Sequence, residues 1–334
     1  MASAGREKRN VLISVVIPVY GCRKALPELH RRLTESLSGI SDQYEILYVN
    51  DACPQDSWSE IERICSEDKH AIGIEMARNF GQMKAILAGL DHSCGQYVVV
   101  MDCDLQDRPE EIPKLYAKTQ EGFDIVFARR AHRRDGKMKV FVSKMFYKLY
   151  EYASDTDYDG SISNFSMANR RVIDYYCSMR EQSRSYVIYL KWLGFRQAYV
   201  DVEHDERFEG KSSYNFRKRM NMAIDILTSQ SDKILRLTVK IGCFISFLSL
   251  LAVIFLVIQY FTIKVAPGWT STIAVSCLIC GVLLISNGIV GTYVGNIFMQ
   301  TKERPLYVIR QIKNGSDEEE NSDSRQEASE REES

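Results

Sequence analysis

Net charge is nearly absent from this 334-residue sequence: 43 lysines and arginines stand against 44 aspartates and glutamates, for a formal charge of −1. No recognition motif or aromatic-interleaved basic strand accompanies the basic residues, so nucleic acid is not an expected partner. No metal-ligand spacing falls in a polar loop among the nine cysteines. Their odd number and scatter argue against a disulfide framework and for a reduced compartment. Cys277 and Cys280 form a C-x-x-C pair inside an apolar segment, where small polarizable residues packing helix on helix explain it better than redox chemistry does. A secretory signal is missing as well, because the first ten residues are polar and basic and the next apolar run is short and reaches a proline at Pro18.

Charge is also withheld from two long stretches. None occurs from Ile241 to Ile263, and after Lys264 none occurs from Val265 through Thr301. A helix over the first stretch reaches roughly 35 Å at about 1.5 Å per residue, enough to cross a bilayer core of about 30 Å. The Pro267-Gly268 pair marks a turn, and a second apolar segment runs from Ile273 to Ile297. Buried core helices of a soluble protein are the competing reading, and the lengths and lack of internal charge argue against it. Arg217, Lys218, Arg219, Lys233, Arg236 and Lys240 precede the pair, Lys302, Arg304, Arg310 and Lys313 follow it, and Lys264 alone lies between. The positive-inside rule then predicts a two-helix transmembrane hairpin in an inner (cytoplasmic) membrane, multi-pass, with both termini cytoplasmic. Gly288, Gly291 and Gly295 give the second helix small faces that allow a homo-oligomer. The Glu-, Asp- and Ser-rich tail, 315–334, has no apolar residue larger than alanine to bury and is expected to be disordered. Without it the remainder is basic, and Arg129, Arg130, Arg133 and Arg134 form a cluster suited to lipid head groups or phosphates.

What is present is most informative at YVVVMDCDLQDRPE, from Tyr97 to Glu110. An apolar run delivers Asp102 and Asp104, separated by one residue, into a polar turn closed by Pro109. Strands buried on both faces read as continuous apolar runs, and α/β sheets bind ligands beyond the carboxyl ends of such strands. Oxygen ligands at such a mouth suit Mg²⁺ or Mn²⁺, which bind through one or two carboxylates plus substrate phosphates. A solvated turn is the rival, since Asp-x-Asp is common by chance. Two further strands favour the metal-diphosphate reading. VLISVVIPVY, from Val11 to Tyr20, is an apolar run broken where Pro18 cannot donate a ladder hydrogen bond, and YEILYVND, from Tyr44, ends on Asp51. Asp107, before Pro109 and two glutamates, is expected to cap the helix that begins there.

From residue 11 to about 125 strands and helices alternate as a βαβ series, which predicts a mainly parallel sheet. Lys137–Ser154 reads as an amphipathic helix and Asn221–Leu237 as a helix leading to the membrane. The expected layout is a polar segment over 1–10, an α/β domain over 11–220, a juxtamembrane helix over 221–238, two membrane helices within 239–300 (about 241–263 and 273–297), a cytoplasmic juxtamembrane segment over 301–314, and the acidic tail.

The succession VVIPVY, VND, RNFGQMKAILAGLDH and VVVMDCDLQDRPEEIPKL resembles glycosyltransferase family two, in its polyprenyl-phosphate glycosyltransferase branch, from about Val11 to Asn314. That branch includes dolichyl-phosphate mannose synthase, bactoprenol glucosyltransferase and undecaprenyl-phosphate aminoarabinose transferase. The resemblance implies a GT-A catalytic domain, Rossmann-like, on the cytoplasmic side of the hairpin. It implies transfer of one sugar from a nucleotide diphosphate sugar, a UDP-sugar favoured, to an undecaprenyl-type polyprenyl phosphate, with inversion and with Mg²⁺ or Mn²⁺ as cofactor. Pro18, Tyr20 and Asp51 would hold the nucleobase and ribose. Arg78, Gly81 and Gln82 would lie near the donor diphosphate, with a structural clamp on nearby carboxylates as the alternative for Arg78. Asp102 would sit by the ribose or metal, and Asp104 and Gln106 would ligate the metal. Arg130, Ser143 and Arg207, with Lys139 weaker, match the acceptor-phosphate contacts.

The sequence departs from the family in three places. An Asn-Glu-Glu run is replaced by Gly21, Cys22 and Arg23, which puts a glutamate contact to the base in doubt. A Gly-x-Ser-Lys-Tyr pattern has Ser213 in place of its lysine, with Lys211 on the other side. A Gly-Asp-Phe-Arg string reads Ser163-Asn164-Phe165-Ser166, so Asn164, an amide that cannot act as a base, stands where a carboxylate is expected. A processive polysaccharide synthase is the first alternative; such enzymes usually carry Gln-x-x-Arg-Trp and more membrane helices, and Lys191-Trp192-Leu193 is not that motif. A non-catalytic sugar-nucleotide-binding membrane scaffold is the second.

Overall fold

The computed structural model describes residues 10–130, 162–182, 184–203, 233–262 and 268–315. The expected helix over Lys137–Ser154 and the segment around Arg207 lie outside them. The chain divides into two units, one made of Met1–Ser143, Tyr158–Ser213 and Pro305–Ser334, the other of Lys144–Asp157 and Tyr214–Arg304.

The first unit opens with the predicted alternation: β1 (Ile13–Val19), α1 (Leu26–Ser38), β2 (Tyr44–Asn50), α2 (Ser57–Glu67), β3 (Ala71–Met76), α3 (Gln82–His92), β4 (Tyr97–Val100), α4 (Ile112–Gln120) and β5 (Ile125–Arg130). It continues with β6 (Ile162–Asn169), α5 (Arg170–Ser178), α6 (Tyr186–Trp192) and β7 (Gln197–Val202), and closes with β8 (Ile309–Lys313). The strands form one sheet in the order β7-β5-β6-β4-β1-β2-β3-β8. β4-β1-β2-β3 and β5-β7 pair in parallel, whereas β6 runs antiparallel to both β4 and β5 and β8 antiparallel to β3.

Every residue of β1, β2 and β3 is buried, as expected of parallel strands covered on both faces. Pro18 does not break β1. β4 pairs with β1 only as far as Val16, so Pro18 lies where β1 has β2 as its one partner. α1 buries Leu26, Leu29, Leu33 and Leu37, its i, i+3, i+4 stripe, in the core. α3 comes close to the sheet through Gly89, where a Cβ would lie 2.4 Å from Val16 Cγ1 and 3.1 Å from Val49 Cγ2.

At the amino ends of the strands a buried polar knot fixes the register. Glu45 Oε1 accepts from Ser14 Oγ and from the Cys94 N–H, both at 2.6 Å, and Ser14 Oγ accepts the Gly95 N–H at 2.7 Å. The pairing of these groups answers the cost of burying a carboxylate, and it leaves the carboxyl ends of the strands as the open rim.

β8 was not expected, because the sequence reads as a juxtamembrane segment over 301–314. It is bound by more than its ladder. The Tyr307 hydroxyl donates to Asp91 Oδ2 at 2.6 Å, where Arg180 also pairs, and Asn314 Nδ2 donates to the carbonyls of Cys65 (2.6 Å) and Ala71 (3.0 Å). Burial first, and then the acidic neighbour Asp91, push the Tyr307 phenol well above its ordinary value.

The second unit contains two long helices, α7 (Lys233–Thr262) and α8 (Trp269–Thr301). Among the described residues one stretch, Ile279–Thr301, is long and apolar enough to cross a membrane, and none of it is buried.

Candidate active site at the carboxyl ends of the strands

Each of the four parallel strands β1 to β4 leaves the sheet through a residue in the left-handed region: Gly21 (φ 77°), Ala52 (φ 49°), Gly81 (φ 94°) and Leu105 (φ 61°). Ala52 follows Asp51, and Leu105 lies between Asp104 and Gln106. Non-glycine residues held there cost energy and cluster at ligand sites, where surrounding structure over-determines them. The outliers therefore mark the same rim that the strand-end aspartates mark.

Asp51 is only 2% exposed. Its Oδ1 accepts the Phe80 N–H at 2.6 Å and its Oδ2 the Gly81 N–H at 2.9 Å, so the carboxylate holds the RNFGQ turn from beneath, at the start of α3. Burial raises its pKa, against the opposing pull of those two backbone donors and of Arg78. Gln82, the first residue of α3, donates from Nε2 to Asp102 Oδ1 at 2.7 Å. One chain of contacts thus joins the ends of β2, β3 and β4. Asp104 Oδ1 accepts the Gln106 N–H at 3.2 Å, closing a tight turn around Leu105.

Tyr20 stands at the rim, 49% exposed, while Pro18 is buried within β1. Arg78 is exposed, with its guanidinium 4.1 Å from the centre of the Phe80 ring. Asn164 is half-buried, and its carbonyl accepts from Ser166 Oγ at 3.1 Å. β4 and β6 last pair at Val100 and Ser166, and Asp102 and Asn164 stand two residues beyond that pair along their chains. Arg130 ends β5. Lys139, Ser143 and Arg207 lie outside the described residues.

Three expectations need correction. Asp107 is not at the N-cap position: a 3₁₀ turn over Pro109–Glu111 has Arg108 at its N-cap, and α4 starts only at Ile112. Asp107 is instead buried. Arg129 is not offered to phosphates, since its Nε and one terminal nitrogen bind the Asp201 carboxylate of β7 at 2.7 and 3.2 Å. The cysteines are not all unpaired. Cys22 and Cys103 form a disulfide with a Cα–Cα separation of 6.3 Å, which ties the loop after β1 to the residue between Asp102 and Asp104. Topology rather than spacing makes that pair, because β1 and β4 are sheet neighbours although the cysteines are 81 residues apart. Cys53 Sγ accepts the Gly21 N–H at 3.1 Å on the same rim.

Gly81→Ala tests the turn. No atom lies within 4 Å of an added Cβ, so the cost is backbone strain alone. It is expected to destabilise the protein by about 1–3 kcal/mol, read as a lowered Tm.

A parallel sheet with aspartates and glycine turns gathered at its carboxyl rim is the arrangement by which α/β enzymes hold nucleotides. The chain belongs to the family described as Glycosyl transferase family 2, which matches residues 14–177. It is 33% identical over 306 residues to YkcC of Bacillus subtilis (strain 168), an uncharacterized glycosyltransferase, covering 90% of this chain and 94% of that one. It is also 33% identical over 304 residues to the undecaprenyl-phosphate 4-deoxy-4-formamido-L-arabinose transferase of Proteus mirabilis (strain HI4320), covering 90% and 93%. Among solved structures, the glucosyl-3-phosphoglycerate synthase of Mycobacterium tuberculosis bound to phosphoglyceric acid aligns with a TM-score of 0.47 at 18% identity, covering 67% of this chain and 81% of that one.

Proposed function

We propose that this glycosyltransferase moves one sugar from a nucleotide diphosphate sugar, a UDP-sugar favoured, to a polyprenyl phosphate at the cytoplasmic face of a membrane. The observation that carries the reading is the chain of contacts from Asp51 through the Phe80–Gly81 turn and Gln82 to Asp102, which makes one rim of three strand ends. Full-length similarity to an undecaprenyl-phosphate sugar transferase supports the acceptor class.

In this reading Tyr20 offers an exposed ring to the nucleobase, Pro18 and Asp51 shape the floor beneath base and ribose, and Arg78 and Gly81 face the diphosphate. Two carboxylates and an amide at the mouth of the rim fit Mg²⁺ or Mn²⁺, which need few protein ligands when substrate phosphates supply the others. Asp104 and Gln106, with Asp102 beside them, would hold the ion. Such an ion would offset charge developing on the departing diphosphate. Arg130, Lys139, Ser143 and Arg207 would position the acceptor phosphate, the guanidiniums through bidentate hydrogen bonds. α7 and α8 would anchor the enzyme as a hairpin.

Asn164 fits this acceptor. A hydroxyl must lose its proton as it attacks, whereas a phosphate monoester, with a second pKa of about 6, is already largely ionised at neutral pH. The nucleophile then needs orientation rather than a base, and in-line attack inverts the anomeric carbon. Asn164→Asp is expected to slow transfer by roughly tenfold, since a carboxylate would repel the anionic acceptor. Faster transfer to polyprenyl phosphate by this variant would count against the assignment.

The function itself is tested with a panel of radiolabelled nucleotide sugars and extracted membrane lipid, scored by thin-layer chromatography. A labelled lipid product from one donor is expected. Binding of a donor without turnover or hydrolysis would favour a scaffold instead.

A further inference from the structure

Two cations stand on the RNFGQMK segment without a carboxylate contact among the described residues. Lys84 lies in the first turn of α3 and is half-buried. Its ammonium has one hydrogen-bond partner among those residues, Gln182 Oε1 at 3.4 Å. Arg78, three residues before Gly81, donates to the Asn79 carbonyl at 3.5 Å, lies over the face of Phe80 and acts through its charge on Asp51. Three effects oppose a charge at Lys84. Burial removes water from the ammonium, Arg78 repels it, and the first turn of a helix is the positive end of the helix dipole. Burial first and Arg78 second push its pKa below the ordinary lysine value, and no anion among the described residues offsets them. Gly81 offers α3 no side-chain cap, and Asp51 is already bonded to the Phe80 and Gly81 N–H groups. A half-buried ammonium that feels a second cation and has no carboxylate contact among the described residues is completed by an anion from outside.

We infer that Lys84 is a binding residue for the donor diphosphate, reaching it from the first turn of α3 beside Arg78. The inference rests on the nucleotide-sugar reading of the rim and adds to it a residue outside the Arg78, Gly81 and Gln82 set. It also gives Lys84 a distinctive energetic signature. A lysine kept for packing or for a hydrogen bond stabilises the empty protein, whereas a lysine kept for a diphosphate weighs against the empty protein and stabilises only the bound one.

The test uses the full-length chain in detergent with UDP and, in parallel, GDP as probes, measured by calorimetry, with uridine as a competitor lacking phosphate. Lys84→Met is expected to weaken binding of the nucleoside diphosphate by roughly tenfold, the loss of one charge-assisted contact. Binding of uridine should be unchanged, and the Tm of the empty protein unchanged or raised. Lys84→Arg, which keeps the charge, is expected to bind within about threefold of wild type, and Lys84→Gln serves if the methionine variant does not fold. Wild-type binding of UDP or GDP with equal affinity in Lys84→Met, or Lys84→Gln, overturns the inference and leaves the proposed function standing. Failure of wild type to bind either nucleoside diphosphate overturns both.

Discussion

Asp104→Asn is expected to lower turnover by at least about a hundredfold, because in the proposed metal site disturbing even the outer partners of a ligand costs 10- to 100-fold and this change removes the charge of Asp104 itself. The fold should survive. The Gln106 N–H at 3.2 Å from Asp104 Oδ1 can donate equally to the carbonyl oxygen of asparagine, so the turn through Leu105 keeps its closing bond. Tm is therefore expected to stay near that of wild type while rates collapse, and wild-type activity should vanish in chelator and return with Mg²⁺ or Mn²⁺. Full activity of Asp104→Asn in the presence of chelator would end the metal assignment.

The second large effect is expected at the other end of the chain. Removing residues 305–334 deletes β8, which pairs with β3 from Gly73 to Met76, together with the buried Leu306 and the Tyr307 and Asn314 bonds. At about 1 kcal/mol per hydrogen bond, the loss is expected to exceed about 3 kcal/mol. It also bares β3 as an edge strand, an invitation to aggregation. A chain ending at Arg304 should thus unfold at a markedly lower temperature and elute in part as aggregate in size-exclusion chromatography. One ending at Gly315 keeps β8 and should match wild type. Equal Tm and elution for the two truncations would show that β8 contributes little.

That strand marks where the sequence stops being legible. β1, β2 and β3 announce themselves because parallel strands covered on both faces must be apolar throughout, and α3 because a glycine turn precedes an apolar helix. IRQIK carries no such signal: it is short, half polar and follows the second long helix, so only its partner strand reveals it. β6 is obscured differently, since Phe165 and Met167 enter the core from a strand whose other residues are one Ile with Ser, Asn and Ala. Within the site, the aspartates were readable as strand-end residues, but their partners were not. That Asp51 receives two backbone N–H groups, or that Gln82 reaches Asp102, depends on the path of the turn after β3, which is set by Gly81 and by its neighbours in the fold. The Cys22–Cys103 pair likewise follows from β1 and β4 being adjacent. Asp107 misled because an aspartate before Pro-Glu-Glu is a good local cap, yet the first three residues form a 3₁₀ turn that displaces the start of α4.

One assay decides the acceptor class. The purified full-length enzyme is incubated with the nucleotide sugar it turns over and with polyprenyl phosphate, polyprenol or no lipid, and the products are identified by mass spectrometry. A single sugar joined through phosphate to the polyprenyl chain, formed only with polyprenyl phosphate, is the predicted result. Transfer to polyprenol, or growth of a polymer from the same donor, would contradict it.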